Sequence, residues 1–166
     1  MPPEAGLSRQ DCTDGAPAIR SQPFRRFARD DSRSSAPEAA TPASILVVED
    51  DFLVSMQVEA ALLDAGFALA GVAVSAEEAL QIAAATHPVV VLMDIRLAGK
   101  MDGVDAALAL FRKQGIRCVF ATAHHDPEVR LRAAPAQPLG WLPKPYTMQA
   151  MVIAVRQALQ DLDQDA

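Results

Sequence analysis

Short apolar runs alternate with longer amphipathic stretches along the chain from Ser44 onward. The run Ile-Leu-Val-Val at 45–48 has the length and continuous apolar character of a parallel strand buried on both faces. The run Val-Val-Val-Leu-Met at 89–93 is the most strand-like in the chain. The same criteria predict five strands, at 45–48, 67–74, 89–93, 116–121 and 139–142.

Helical periodicity follows each predicted strand. The first such stretch, 52–65, places Val54, Val58, Ala61 and Ala65 at helical spacing and ends at Gly66, a good C-terminal stop. The predicted helices are 52–65, a helix opened by the capping box of Ser75 and Glu78 and running to about Thr86, then 102–114 or 103–114, 126–134 and 147–162.

Alternating strands and helices over about 120 residues form five βα units. Such units imply a parallel sheet with right-handed crossovers and helices on both faces. The predicted fold class is therefore α/β, doubly wound.

Residues 1–43 differ sharply in composition from the rest. They hold six of the twelve prolines, six arginines and no valine. So few apolar residues cannot offset the entropy of ordering the segment, so we expect a disordered tail rich in Pro, Ala, Arg and Ser. The length of 166 residues agrees with one folded domain, over 44–164, and an appendage.

The net charge of the chain indicates which classes of partner to expect. Six acidic residues balance the six arginines of residues 1–43, so the net charge of −6 falls on residues 44–166. An acidic domain is not expected to bind nucleic acid, because phosphate binding depends on clustered cationic side chains. No apolar stretch is long enough to span a bilayer. Without a secretory signal, and with only Cys12 and Cys118, we expect a cytoplasmic protein.

Polar residues follow the predicted strands at what would be one edge of the sheet. They are Glu49, Asp50 and Asp51 after the first strand, Asp94 after the third, Thr122 after the fourth and Lys144 after the fifth. Ligands of open α/β sheets bind at this carboxyl edge. Asp50 or Asp51 alone could instead cap the first helix.

Several carboxylates at one edge repel each other unless a cation joins them. Oxygen ligands without histidine or cysteine favour Mg²⁺. An Asp beside such a metal can be the nucleophile of phosphoryl transfer, and Asp94 is the natural candidate. Lys144 supplies a positive charge and Thr122 a hydroxyl group, and both suit phosphoryl oxygens. His124 and His125 have no third ligand nearby and are expected in a solvated loop.

Five motifs occur together in a characteristic order. They are Ile-Leu-Val-Val-Glu-Asp-Asp at 45–51, Leu-Met-Asp-Ile-Arg at 92–96, Met-Asp-Gly at 101–103, Ala-Thr-Ala at 121–123 and Leu-Pro-Lys-Pro-Tyr at 142–146. In this combination the chain resembles the receiver domain of bacterial two-component response regulators over 44–164. The resemblance implies a flavodoxin-like (βα)5 three-layer sandwich with a five-stranded parallel sheet in the order 2-1-3-4-5.

The resemblance also implies roles for individual residues. Asp94 is the phosphoacceptor, and Glu49, Asp50, Asp94 and the backbone carbonyl of Arg96 are the ligands of Mg²⁺. Thr122 and Lys144 contact the phosphoryl oxygens, the Lys144–Pro145 bond is cis, and Thr122 and Trp141 form the conformational switch.

The function implied is that of a stand-alone, single-domain response regulator. Its phosphodonor is a sensor histidine kinase or a histidine phosphotransfer protein, and its output is contact with an unknown downstream protein. No effector domain is expected after residue 166. Met148, Met151 and Val152 are expected near a partner or homodimer surface formed by the fourth helix, fifth strand and fifth helix.

Two other functions compete with this one. The first is an interaction module that uses the receiver fold without phosphorylation. The second is a phosphatase of the haloacid dehalogenase type, an enzyme that needs another Asp two residues after the nucleophile, where this chain has Arg96. The receiver interpretation describes a signalling protein and not an enzyme.

Overall fold

A computed structural model of the chain describes residues 42–123 and 126–165. The predicted disordered segment lies outside these residues apart from Pro42 and Ala43, as do Cys12 and the pair His124 and His125. Within the described residues, no helix combines the length and the apolar character that crossing a bilayer requires.

A parallel sheet of five strands forms the centre of the domain. The strands are β1 (Ser44–Val48), β2 (Ala68–Ala73), β3 (Val90–Asp94), β4 (Arg117–Thr122) and β5 (Gly140–Pro143). They pair in parallel in the order β2-β1-β3-β4-β5. This order confirms the predicted doubly wound α/β fold. The third and fourth strands each run one residue further toward the carboxyl edge than the sequence predicted.

Five α-helices cover the two faces of the sheet. They are α1 (Phe52–Asp64), α2 (Ala76–Thr86), α3 (Gly103–Gln114), α4 (Pro127–Ala133) and α5 (Met148–Asp165), and a 3₁₀ helix (Ala134–Ala136) follows α4. Alternate residues of β1 point to opposite faces, so Ile45 and Val47 join the apolar core with α1 and α5. Leu46 and Val48 join the core with α2 and α3. The result is the predicted three-layer sandwich.

Local capping explains where the helices begin and end. The Ser75 hydroxyl accepts a hydrogen bond from the Glu78 N–H at 3.2 Å, which starts α2 as predicted. The Glu78 carboxylate accepts from the Val74 N–H at 2.8 Å, one residue earlier than in the usual capping box. At the end of α3, Gly115 adopts a left-handed conformation (φ 70°), which glycine tolerates without steric cost.

The start of α5 corrects one expectation about the surface. Met151 is fully buried in the core between α5 and the sheet, so it is not available to a partner. Met148 and Val152 pack against the same core, and Ile153 is the exposed apolar residue of this helix, at 57%. The helix turns its Met151 face inward because the apolar side of an amphipathic helix packs on the sheet. Cys118 is buried in β4, as predicted.

Candidate functional site

Three carboxylates meet at the carboxyl edge of the sheet. Val48 pairs with Met93 in the register of β1 and β3, so Glu49 and Asp50 follow β1 beside Asp94 at the end of β3. One carboxylate oxygen from each of Glu49, Asp50 and Asp94 lies within 4.8 Å of the others. The parallel strands therefore bring together the acidic groups that the sequence placed at this edge.

Asp50 and Asp51 have different roles although they are neighbours. The Asp51 carboxylate caps α1, accepting hydrogen bonds from the N–H groups of Leu53 at 2.8 Å and Val54 at 3.1 Å. Asp50 belongs to the acidic cluster, and its Oδ2 accepts from the Ala98 N–H at 3.2 Å. The structure thus decides which of the two residues is the helix cap.

Lys144 joins two of the three carboxylates. Its Nζ donates to Asp94 Oδ2 at 2.7 Å and to Glu49 Oε2 at 2.8 Å. Partial burial acts to lower the pKa of Lys144, but these hydrogen bonds and charges outweigh it and leave the pKa raised. Lys144 therefore remains a cation beside the candidate nucleophile.

Glu49 is the most buried of the acidic pair, at 4% exposed. Its burial raises its pKa, and the neighbouring charge of Asp94 acts in the same direction, while hydrogen bonds from Lys144 and the Asp51 N–H only partly oppose them. A further positive charge at this edge would favour the ionised form of Glu49.

Asp94 is held between β3 and the start of α3. Its Oδ1 accepts from the Arg96 N–H at 3.0 Å, and the side chain is largely buried, with the residue 7% exposed. Gly103, the first residue of α3, lies so close that a Cβ atom there would overlap the backbone carbonyl oxygen of Asp94. Only glycine permits this approach, which explains the glycine of the Met-Asp-Gly motif at 101–103.

A cavity of about 500 Å³ opens beside Asp94. Its lining includes Asp94, Arg96, Thr122 and Lys144, together with Asp126 and Pro127 at the start of α4. Thr122 ends β4 and is 7% exposed. The cavity gives a small anionic group room next to a carboxylate, a hydroxyl group and an ammonium group.

Trp141 lies on β5, paired in register with Phe120 on β4. The two rings stack with centroids 4.9 Å apart and planes inclined by 29°. The Arg130 guanidinium lies over the indole, with its Cζ 4.7 Å from the ring centroid. Trp141, which is predicted to be part of a switch, therefore contacts both the sheet and α4.

The structure brings the predicted site residues Glu49, Asp50, Asp94, Thr122 and Lys144 to one edge, and the Lys144–Pro145 bond is cis. Their roles remain predictions, as does the part of the Arg96 carbonyl. Sequence reasoning missed the contributions of α4. They could not be found along the chain, because the partners of Arg130 and Arg132 are set by the packing of α4 and not by spacing.

The donor set at the acidic cluster suits a hard divalent cation. Glu49, Asp50 and Asp94 offer only carboxylate oxygens. Mg²⁺ prefers such oxygens and completes its octahedron with water and phosphate oxygens, for which the adjoining cavity leaves room. The residues present therefore fit the predicted metal.

Comparisons with known proteins agree with this geometry. The chain matches the family described as the response regulator receiver domain over residues 45–156. It is similar to the transcriptional regulatory protein PdtaR of Mycobacterium tuberculosis, with 30% identity over 122 residues, 74% of this chain and 59% of that protein. It is also similar to the phyllosphere-induced regulator PhyR of Methylorubrum extorquens, with 33% identity over 128 residues, 76% of this chain and 46% of that protein.

The chain is also similar to solved structures of receiver domains. The signal receiver domain of a modulated diguanylate cyclase from Desulfovibrio desulfuricans G20 superposes with a TM-score of 0.69 and 29% identity, covering 75% of this chain and 99% of that one. The present chain spans about half the length of the curated relatives it matches.

Proposed function

The chain belongs to the response regulator receiver domain family, and from this premise we propose that it accepts a phosphoryl group on Asp94 from a phosphohistidine. In that reaction the phosphorus–nitrogen bond of the donor breaks and a bond forms between phosphorus and an Asp94 carboxylate oxygen. The imidazole of the donor is the leaving group. The product is an aspartyl phosphate that signals through a change in conformation.

The observation that carries the proposal is the environment of the Asp94 carboxylate. It lies between the Lys144 ammonium, 2.7 Å away, and the acidic pair, and it borders a cavity that admits a phosphoryl group. Lys144 would move from carboxylate oxygens to phosphoryl oxygens as negative charge is transferred. The Thr122 hydroxyl group at the same cavity would donate to another phosphoryl oxygen.

Receiver domains bind Mg²⁺ at an acidic pocket, and this chain has such a cluster. We assign its ligands to Glu49, Asp50, Asp94 and the backbone carbonyl of Arg96. When bound, the ion neutralises negative charge on the transferring group. The protein's own contribution is to hold these groups around Asp94 and to place the Lys144 ammonium beside it.

Phosphorylation by a small phosphodonor in the presence of Mg²⁺ tests the proposal. We expect a stoichiometric, base-labile label that is absent from Asp94→Asn. Asp126→Asn is the matched control, because Asp126 lines the same cavity and an Asn can still cap α4. This control should be labelled like the wild-type protein.

The other outcomes identify the competing functions. Label that persists in Asp94→Asn would contradict the assignment of the phosphoacceptor. Steady turnover of many phosphate esters would instead indicate a phosphatase. A protein that takes up no label but binds its partner would be an interaction module independent of phosphorylation.

We also propose that the chain acts in the cytoplasm, with a sensor histidine kinase or a histidine phosphotransfer protein as its donor. Its output is contact with a downstream protein or a second copy through the face formed by α4, β5 and α5. Among the residues described, the exposed Leu131 of α4 and Ile153 of α5 lie on elements of that face.

A further inference from the structure

Helix α4 forms one wall of the cavity beside Asp94, and side-chain contacts from neighbouring elements hold it there. Asp126, which caps the helix, and Pro127 and Val129 line the cavity. The helix has seven residues, of which Ala133 is buried. A helix of this length has little stability of its own, so its position depends on its tertiary contacts.

Arg132 connects α4 to the start of α3. Its guanidinium donates to Asp102 Oδ2, and it also lies 3.8 Å from Asp105 Oδ1. Asp102 is the N-cap of α3 and accepts from the Asp105 N–H at 2.9 Å. Partial burial acts to raise the pKa of Asp102, but the hydrogen bond from Arg132, the hydrogen bonds from backbone N–H groups of α3 and the charge of Arg132 together outweigh it, so the pKa is lowered. Asp102 therefore caps α3 and also binds α4 through Arg132.

The start of α3 is itself packed against the phosphoacceptor strand. The Gly103 N–H donates to the Ile95 carbonyl at 3.0 Å, and Gly103 abuts the carbonyl oxygen of Asp94. Because the N-cap residue directly precedes Gly103, a shift of the backbone after Asp94 must displace Asp102 and the guanidinium bound to it.

Arg130 connects the same short helix to Trp141. Its guanidinium lies over the indole at 4.7 Å, and the indole stacks with Phe120 of β4. Two arginines two residues apart thus extend from α4 to different elements, one to the cap of α3 and one to β5. A seven-residue helix held at both points cannot move without disturbing one of the contacts.

We propose that Arg130 and Arg132 are positioning residues that make α4 a rigid link between the backbone after Asp94 and the indole of Trp141. This link is separate from the switch of Thr122 and Trp141 that the resemblance to receiver domains implies. The contacts that form this link are those of Arg132 with Asp102 and of Arg130 with Trp141, and only its use as a signalling route rests on the proposed function. To carry a signal, such a link needs two discrete arrangements of its contacts.

Trp141 is the only tryptophan of the chain, so its accessibility to acrylamide reports on the link. In the full chain without phosphodonor, we expect Arg132→Gln to raise the quenching constant about twofold. Losing one exposed ion pair changes the population in which α4 has moved away from the indole by about this factor. Asp102→Asn, which keeps a capping side chain, should have the same effect, and the double variant should add nothing. Arg130→Lys, which keeps the charge but loses the planar stack, should have the largest effect.

Lys113→Gln on the exposed side of α3 is the control and should leave quenching unchanged. Unaltered quenching in both Arg132→Gln and Asp102→Asn would overturn the proposal, and so would additive effects in the double variant. Melting temperatures close to that of the wild-type protein would show that the variants remain folded. Because no phosphodonor is used, this outcome is independent of whether Asp94 can be labelled.

Discussion

At the scale of residues, three aspartates at the carboxyl edge of the sheet have three different roles. Asp51 is a helix cap, Asp50 is part of the acidic cluster, and Asp94 is the buried carboxylate paired with Lys144. The differences come from where each side chain points and what donates to it. Residue type alone does not assign the role.

Asp50→Asn should stabilise the protein in the absence of divalent cations and remove its stabilisation by Mg²⁺. The variant removes one of three like charges and keeps an oxygen that can accept from the Ala98 N–H. For an exposed charge within 4.8 Å of its neighbours we expect a gain of about 1 kcal/mol in the free energy of unfolding. Urea unfolding with and without millimolar Mg²⁺ measures both effects.

Asp51→Asn is the matched control, because it removes a neighbouring charge outside the cluster and an Asn caps a helix as well as an Asp. It should keep the response to Mg²⁺. Equal responses to Mg²⁺ in Asp50→Asn and Asp51→Asn would mean that Asp50 is not a metal ligand.

At the scale of elements, two arginine side chains connect the short helix α4 to its neighbours. Its guanidinium link to α3 is partly exposed, with 46% of the Arg132 side chain and 35% of the Asp102 side chain accessible. Solvent therefore screens the pair, and its contribution to stability is small. The ion pair of Arg132 and Asp102 matters because it sets the position of α4, although it stabilises the fold little.

Arg132→Gln should lower the free energy of unfolding by about 0.5 kcal/mol at neutral pH, the usual range for an exposed ion pair. The pKa of Asp102 is lowered in the folded protein from its ordinary value of 3.8. The contribution of this carboxyl is therefore present above that value and is lost as the pH falls through the lower pKa of the folded state. Denaturant titrations over a pH series should show the difference between wild-type and variant vanishing in acid.

Lys113→Gln provides the comparison for this series and should follow the wild-type curve. A deficit of Arg132→Gln that stays constant in acid would show that the loss is one of packing and not of the ion pair.

Helix α1 shows the limit of periodicity at the same scale. The sequence places Val54, Val58, Ala61 and Ala65 at helical spacing, and of these Val58 is buried while Val54 and Ala61 are partly buried against the core. The other two fully buried residues of the helix are Ser55 and Leu62. The helix is apolar nearly all round, with Leu53 69% exposed. A pattern without a polar face does not specify which side packs on the sheet.

At the scale of the whole molecule, the site at the carboxyl edge and the α4, β5 and α5 face share Trp141 as a meeting point. The indole contacts Phe120 in the sheet and Arg130 on α4. A displacement of β4 or of α4 would therefore change the surroundings of the indole.

Beryllofluoride with Mg²⁺, a mimic of the phosphoryl group, should change the emission of Trp141. The physical reason is that a new anion beside Thr122 and Lys144 draws these groups toward Asp94 and disturbs the stacked indole. Asp94→Asn should show no change under the same conditions. An unchanged emission spectrum in the wild-type protein would refute the switch role of Trp141.

The sequence by itself determined the alternation of strands and helices, the fold class and the edge at which the polar residues meet. It could do so because these features depend on local periodicity and on the parallel direction of successive strands. The order of the strands and the roles of Asp94 and Lys144 were predicted only through the resemblance to receiver domains.

Only the tertiary structure decided which face of α1 and of α5 is buried, that Asp51 and not Asp50 is the cap, and that Gly103 abuts Asp94. It alone placed Arg130 on Trp141 and Arg132 on Asp102. These contacts join residues from 11 to 30 positions apart, which lie side by side only after the helices pack on the sheet. Nothing in the spacing of the residues along the chain encodes such a distance.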